Sequence, residues 1–370
     1  MNYHKLWFFC VISLLITGLA APQSPETPAV SDKEIVFGQS MAFTGKFKMY
    51  AHAIQRGIEA GFKQVNQAGG VNGKTLRLVS LDDAGNSVRF AKNIQQLQTK
   101  FKISMFLGLM DTSSVLSLLP LMKEGKVAVF FPWAQHKDLQ DPQLTTIVNG
   151  PGLLEPQLEA LAQSEAIKTK KVAIFHTDDN FSTRWANFLA ERLKANGQAP
   201  LAIESFNFFT MDVAAPATEL IKKAPKIIIC VCTATPVVEL IKYFFEHGSF
   251  GTQFFGIDST FPVKDILSYT GAAFYYASSV PDPATSDIPL AVEYRQAMSS
   301  FFPDEPLSIL SFTYYLCARI IIDALQKASD SSKEAIIQNI VAMKKTELGG
   351  YPLDFDPNTR FLFGKKTWII

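Results

Sequence analysis

The sequence predicts an α/β protein built as two doubly wound lobes. Three observations carry that prediction. Short, nearly all-apolar runs alternate with stretches whose apolar residues recur at helical spacing. The alternation breaks near Gly150-Pro151-Gly152 and then restarts. A long apolar helix pattern follows late, after the second series has ended. Strands covered by crossover helices on both faces read as continuous apolar runs, and two successive series of this kind imply two parallel sheets. A chain of 370 residues is long enough to fill two cores.

The elements follow in order. Ile35–Phe37 is the first strand signal, and Ile54, Ile58, Phe62 and Val65 mark a helix after it. Leu76–Leu81 reads as a strand, Val88, Ala91, Ile94 and Leu97 as a helical stripe, and Ile103–Leu107 and Val127–Phe131 as two more buried strands. Beyond the break, Val172–Phe175 is a strand, with Trp185, Phe188, Leu189 and Leu193 on a helix. Lys226–Val231 is a strand, with Val237, Leu240, Ile241 and Phe244 on the next helix, and Gln253–Ile257 is a further strand. After Phe274–Val280 the pattern changes: Ile309–Leu325 is helical and apolar, and Gly349-Gly350 opens a tail, Tyr351–Ile370. The late return places residues 34–151 and 283–345 in lobe one, and residues 152–282 and 346–370 in lobe two.

The first twenty residues read as an export signal. Lys5 supplies the charge, Leu6 to Leu19 is apolar apart from Ser13 and Thr17, and Gly18-Leu19-Ala20 predicts cleavage after Ala20. The run is short for a membrane span. Cys10 follows two phenylalanines and does not read as a lipidation site. The mature chain is therefore expected to be soluble, after a proline-containing linker over residues 22–33. Beyond the signal only Cys230, Cys232 and Cys317 remain. Two residues along an extended strand is a poor span for a disulfide, so buried free thiols are expected. A net charge of +1 gives no field for nucleic acid.

Several catalytic and cofactor classes find no support. Gly73-Lys74-Thr75 ends like a phosphate loop, but Ala68 stands where that pattern needs glycine, and no dinucleotide fingerprint follows a strand. No Gly-x-Ser-x-Gly elbow is present. His176-Thr177-Asp178-Asp179 does not match a compact metal site. No cofactor or metal, and no catalytic residue, is expected.

One stretch carries more. Gly38-Gln39-Ser40-Met41-Ala42-Phe43-Thr44-Gly45, then Gly57, then Asn66-Gln67-Ala68-Gly69-Gly70-Val71-Asn72-Gly73, then Asp82-Asp83, resembles the amino end of branched-chain amino-acid-binding proteins of the type I periplasmic binding class. Gly108 to Ser114, followed by Pro120 and Val127–Pro132, resembles the segment that holds ligand in that family, and a weaker likeness runs to Tyr351–Asp356. The resemblance implies a Venus-flytrap of two lobes joined by three crossings. It further implies a periplasmic, monomeric, non-enzymatic receptor that hands an amino acid or close relative to an ABC permease and its ATPase. A sensory module of the same fold, for example an amide sensor, is the alternative, and a secreted α/β hydrolase is a more distant one.

By position, the resemblance places Tyr50 beside the ligand and Thr112, with Ser113, at its carboxylate. It places Trp133 and Gln135 in the loop after Pro132, Phe181 as the second lobe's closing aromatic, and Asp258 at the ligand ammonium. Thr112 and Ser113 also read as a helix cap. Three departures stand against a branched aliphatic ligand: Trp133 where relatives have a small residue, Ala234 where a second aromatic belongs, and Asp111 beside the carboxylate position.

Overall fold

A computed structural model describes residues 31–370 except 262, 264, 265 and 268–271. The export signal expected over residues 1–20 and most of the expected linker lie outside the described residues.

The first sheet holds β1 (Glu34–Met41), β2 (Thr75–Asp82), β3 (Met105–Leu107), β4 (Ala128–Phe130) and β5 (Ile147–Val148) in the order β2-β1-β3-β4-β5, all parallel. Between them run α1 (Lys48–Gln67), α2 (Ser87–Lys100), and the one-turn helices α3 (Thr112–Leu116) and α4 (Leu119–Lys123). β1 is buried over seven of its eight residues, as its apolar run requires. Phe90, Ile94 and Leu97 of α2 pack on one face of this sheet with Val36, Val79 and Phe106, while α1 covers the other.

The chain then passes to a second sheet through α5 (Leu154–Gln163). Its strands are β6 (Val172–Thr177), β7 (Ile203–Phe206), β8 (Ile227–Val231), β9 (Gln253–Ile257) and β10 (Phe274–Ser278), parallel to one another. Crossovers α6 (Asn180–Ala195), α7 (Ala214–Lys223) and α8 (Ala234–Glu246) cover them. After β10 the chain returns to lobe one as α9 (Pro289–Phe301), α10 (Ile309–Lys327) and α11 (Lys333–Val341), with α10 packed along α1. By length and apolarity α10 matches a membrane span, but 83% of its apolar window is buried, which makes it a core helix.

The tail differs from the expected boundary at residue 346. β11 (Thr346–Leu348) and β12 (Tyr351–Leu353) form a separate hairpin, and the Leu290 amide of α9 donates to Gly349 O. Arg360–Leu362 then runs beside Asn149 at the end of β5, with Asn149 N donating to Arg360 O at 2.8 Å and Leu362 N to Asn149 O at 2.9 Å. Only β13 (Trp368–Ile369) joins the second sheet, antiparallel to β10, completing the order β13-β10-β9-β8-β6-β7. The third passage between sheets thus falls after Leu362. The apolar residues of the tail, Tyr351, Leu353, Phe361 and Leu362, are buried.

Candidate functional site

Both sheets reverse strand order once, one strand in from an edge: β1 lies between β2 and β3, and β6 between β7 and β8. Side chains and loops splay apart at the carboxyl ends of the strands flanking such a switch, leaving a crevice. Here the two crevices face each other and enclose a cavity of about 640 Å³. Lobe one lines it with Met41 and Ala42 after β1, Asp83 after β2, Met110–Ser114 after β3 and Trp133–Gln135 after β4. Lobe two contributes Thr177, Asp179 and Phe181 at the β6–α6 turn, Phe206 and Phe208 at the end of β7, Val231–Thr233 after β8, and Ile257 and Ser259 around the end of β9.

Six of the seven residues expected at the site line this cavity: Tyr50, Thr112, Ser113, Trp133, Gln135 and Phe181. Tyr50, on the first turn of α1, is buried, and its hydroxyl reaches the other lobe. It donates to Ser259 O at 2.8 Å and accepts from the Ala234 amide at the start of α8 at 3.0 Å. Its ring lies 5.3 Å from that of Trp133 and meets Phe261 edge-on at 5.4 Å. Burial pushes the Tyr50 phenol well above its ordinary pKa, so it stays neutral. Phe181, at the first turn of α6, is half-exposed and sits edge-on to Trp185.

The cap of α3 is Asp111, not Thr112 or Ser113. Its carboxylate accepts Ser114 N at 2.8 Å and Ser113 Oγ at 2.7 Å, and its φ of 76° turns the chain into the helix. A short acceptor one position earlier reaches the third amide of the helix, at Ser114, which Thr112, already inside it, cannot do. Thr112 Oγ1 instead accepts the Gln135 amide at 3.3 Å, tying the β3 and β4 loops together.

Asp258 corrects the sequence expectation. It does follow β9, but its side chain is buried away from the cavity. Oδ2 accepts Ser279 Oγ at 2.7 Å and Gln157 Nε2 at 3.0 Å, Oδ1 accepts Ser279 N at 3.2 Å, and the Asp258 amide donates back to Gln157 Oε1 at 2.9 Å. Tyr351 donates to Ser279 O at 2.6 Å, and Gln157 Nε2 also reaches Leu153 O. Gln157 and Ser279 lie close to the first and second crossings, and Tyr351 lies on the tail that leads to the third. Burial raises the Asp258 pKa to about 6 against the pull of these donors, so the group is ionised at neutral pH and bonded to hinge residues.

Two lining carboxylates were not singled out as ligand-facing. Asp83 accepts Ser40 Oγ and Gly85 N, both at 2.8 Å; burial raises its pKa, and the neighbouring Asp82 and Asp111 add to the rise. Asp179 caps α6 through Ser182 N at 2.9 Å. Their signal was present: each acid directly follows a strand, or comes two residues after one, beside a switch point. His176 near the end of β6 and Asp178 after it hold backbone and Asn207 instead, and among the described residues no cluster is suited to a metal.

Comparison with known proteins agrees with this geometry. The family model described as periplasmic binding protein matches residues 34–365. A Leu/Ile/Val-binding protein homolog 7 of Brucella abortus is 22% identical over 370 aligned residues, covering 94% of this chain and 91% of its own. A possible leucine/isoleucine/valine-binding protein from Rhodopirellula baltica superposes with a TM-score of 0.79 at 22% identity, over 93% of this chain and 95% of its own. A branched-chain amino acid ABC transporter protein from Thermus thermophilus, solved with bound valine, gives 0.76 at 19% identity over 92% and 96%. With its pattern matched across both sheets and the tail that returns between them, the chain belongs to the periplasmic binding protein family.

Proposed function

We propose that the protein is an extracytoplasmic receptor that encloses a small amino-bearing organic molecule, an amino acid or close relative, between its lobes and presents it to an ABC permease and ATPase. The observation that carries this reading is the cavity of about 640 Å³ bounded by the carboxyl strand ends of both sheets. Cavities of roughly 300–1,000 Å³ suit small organic ligands. Binding requires closure, because only then do Trp133 of one lobe and Phe181 of the other both reach the ligand; no bond need be broken.

The relatives named for Leu, Ile and Val, and the Thermus protein with valine, support the amino-acid class. Export through residues 1–20 accords with an extracytoplasmic family. A thermal-shift screen of the mature protein against amino acids, amines, amides and small aromatics tests the reading. A cognate ligand at a hundredfold excess over its dissociation constant stabilises by about 2.7 kcal/mol. Loss of that shift in Trp133→Ala, with the unliganded melting temperature kept, places the ligand in the cleft. A screen in which nothing shifts the transition overturns the receptor reading.

A further inference from the structure

The charge of the cleft narrows the ligand, an inference that rests on the receptor reading above. Among the described residues lining the cavity there are three carboxylates, Asp83, Asp111 and Asp179, and no lysine, arginine or histidine. Lobe one supplies the first two and lobe two the third, so the centre is negative from both sides. Each is fixed by neutral donors from Ser40, Gly85, Ser113, Ser114 or Ser182. None of the three forms an ion pair among the described residues. Charge inside a partly dry cleft calls for a counter-charge, and here the protein leaves that to the ligand.

A separate observation points the same way. The ammonium of Lys46 lies 5.0 Å from the ring centre of Phe47 and 4.6 Å from that of Phe208. Both rings line the cavity, one from each lobe. An amine held between aromatic faces of opposite lobes is therefore a contact that this cleft already makes, and aromatic faces attract cations by their quadrupole. Lys46 is exposed, is not among the lining residues and forms no ion pair with the three carboxylates, so the wall stays acidic. Trp133, Tyr50 and Phe181 line the same cavity.

The position expected to take a ligand carboxylate is bordered by the Asp111 carboxylate, which already accepts the Ser114 amide and the Ser113 hydroxyl. Thr112 Oγ1 accepts the Gln135 amide and keeps its own hydrogen to donate. A carboxylate brought there meets the Asp111 carboxylate, and like charges in contact oppose binding. We infer that the cleft selects an organic cation: a primary amine on a flat apolar body, without a free carboxylate.

Calorimetry on the full protein with 2-phenylethylamine, phenylalanine and 3-phenylpropanoate varies the charge on one body. The amine should bind at least about tenfold tighter than phenylalanine, and the acid weakest. Asp111→Asn keeps an equally good helix cap, so its fold should hold; it should weaken the amine by about fivefold or more and narrow the gap to phenylalanine. Asp179→Asn, on the other lobe, should weaken the amine in the same direction. Binding of phenylalanine or of leucine equal to or tighter than its amine overturns the cation class and leaves the receptor reading standing. Silence from all three compounds also overturns the cation class as drawn, while the receptor reading is decided by the wider screen. Unchanged amine affinity in both variants removes the carboxylates from recognition and overturns it too.

Discussion

Asp258 shows how one side chain can hold a hinge. Its carboxylate collects donors from Gln157, which follows the first crossing, and Ser279, which leads into the second. Asp258→Ala leaves those buried donors without an acceptor, at about 1–3 kcal/mol for each group orphaned. The expected loss is about 3 kcal/mol in urea denaturation, with a smaller effect on ligand preference than on stability. The pH dependence has a definite sign. The folded pKa of about 6 lies above the ordinary 3.8, so between those values the folded state holds the extra proton. Stability from this group is therefore present below pH 4 and is lost as pH rises toward 6, by about 3 kcal/mol for the two-unit shift. Denaturation at pH 4, 5, 6 and 7 should show the wild type losing that amount relative to Asp258→Asn; parallel curves would exclude the assignment. The sequence showed Asp258 at a strand end but not the direction of its side chain, because the deciding partners lie 101 and 21 residues away. Cys230, Cys232 and Cys317, by contrast, are buried and unpaired as their apolar surroundings foretold.

At the scale of elements, the closest packing is α1 against α10. A Cβ at Gly57 would lie 2.1 Å from Ser311 O and 2.9 Å from Tyr315 N, and one at Gly61 would lie 2.8 Å from Ala318 Cβ. The two helices thus meet through backbone at Gly57. Alanine there would gain about 1 kcal/mol of helix propensity. Against that, a clash with backbone must push two helices apart, and overpacking a core costs about 1–3 kcal/mol or more. Gly57→Ala should therefore destabilise by about 2 kcal/mol despite the better helix former, read as a lower urea midpoint at unchanged slope. A higher midpoint would show that α10 yields freely. Gly57 stood out in the sequence within the amino-terminal motif, whereas its contact on α10 did not, since periodicity is local. The same limit explains which strands were legible. β6, β8 and β9 are buried runs and were found within two residues of their ends. β7 is an edge strand with exposed Ile203 and Ser205, and β5 spans only two residues, so neither made a continuous apolar signal.

The whole molecule depends on how the lobes meet, and Tyr50 is the residue that spans them. Two lobes and a late return were legible from rhythm alone, because each buried strand leaves an apolar run. The point of the third passage was not, since Arg360–Leu362 is held to lobe one by backbone bonds to Asn149 that leave no trace in side-chain pattern. Nor did the sequence reveal that Tyr50, expected beside the ligand, would bond Ser259 and Ala234 across the cleft. Those two bonds exist only when the lobes are together; apart, both partners bond water. Tyr50→Phe keeps the ring against Trp133 and Phe261 and removes only the oxygen. At about 1 kcal/mol for each net bond, the closed arrangement should lose about 2 kcal/mol relative to the open one. Ligand affinity falls with the fraction of molecules able to close, so a protein poised near even populations should bind roughly tenfold or more weakly. The loss should appear mainly as faster dissociation, because related variants of one site differ chiefly in that rate. Each lobe keeps its own core, so the mutation should leave the unfolding slope unchanged. Small-angle scattering should then report a larger radius of gyration for the variant at subsaturating ligand and the same radius as wild type at saturation. Equal affinity and equal radius in both proteins would mean that the Tyr50 hydroxyl bridges the lobes without biasing their closure.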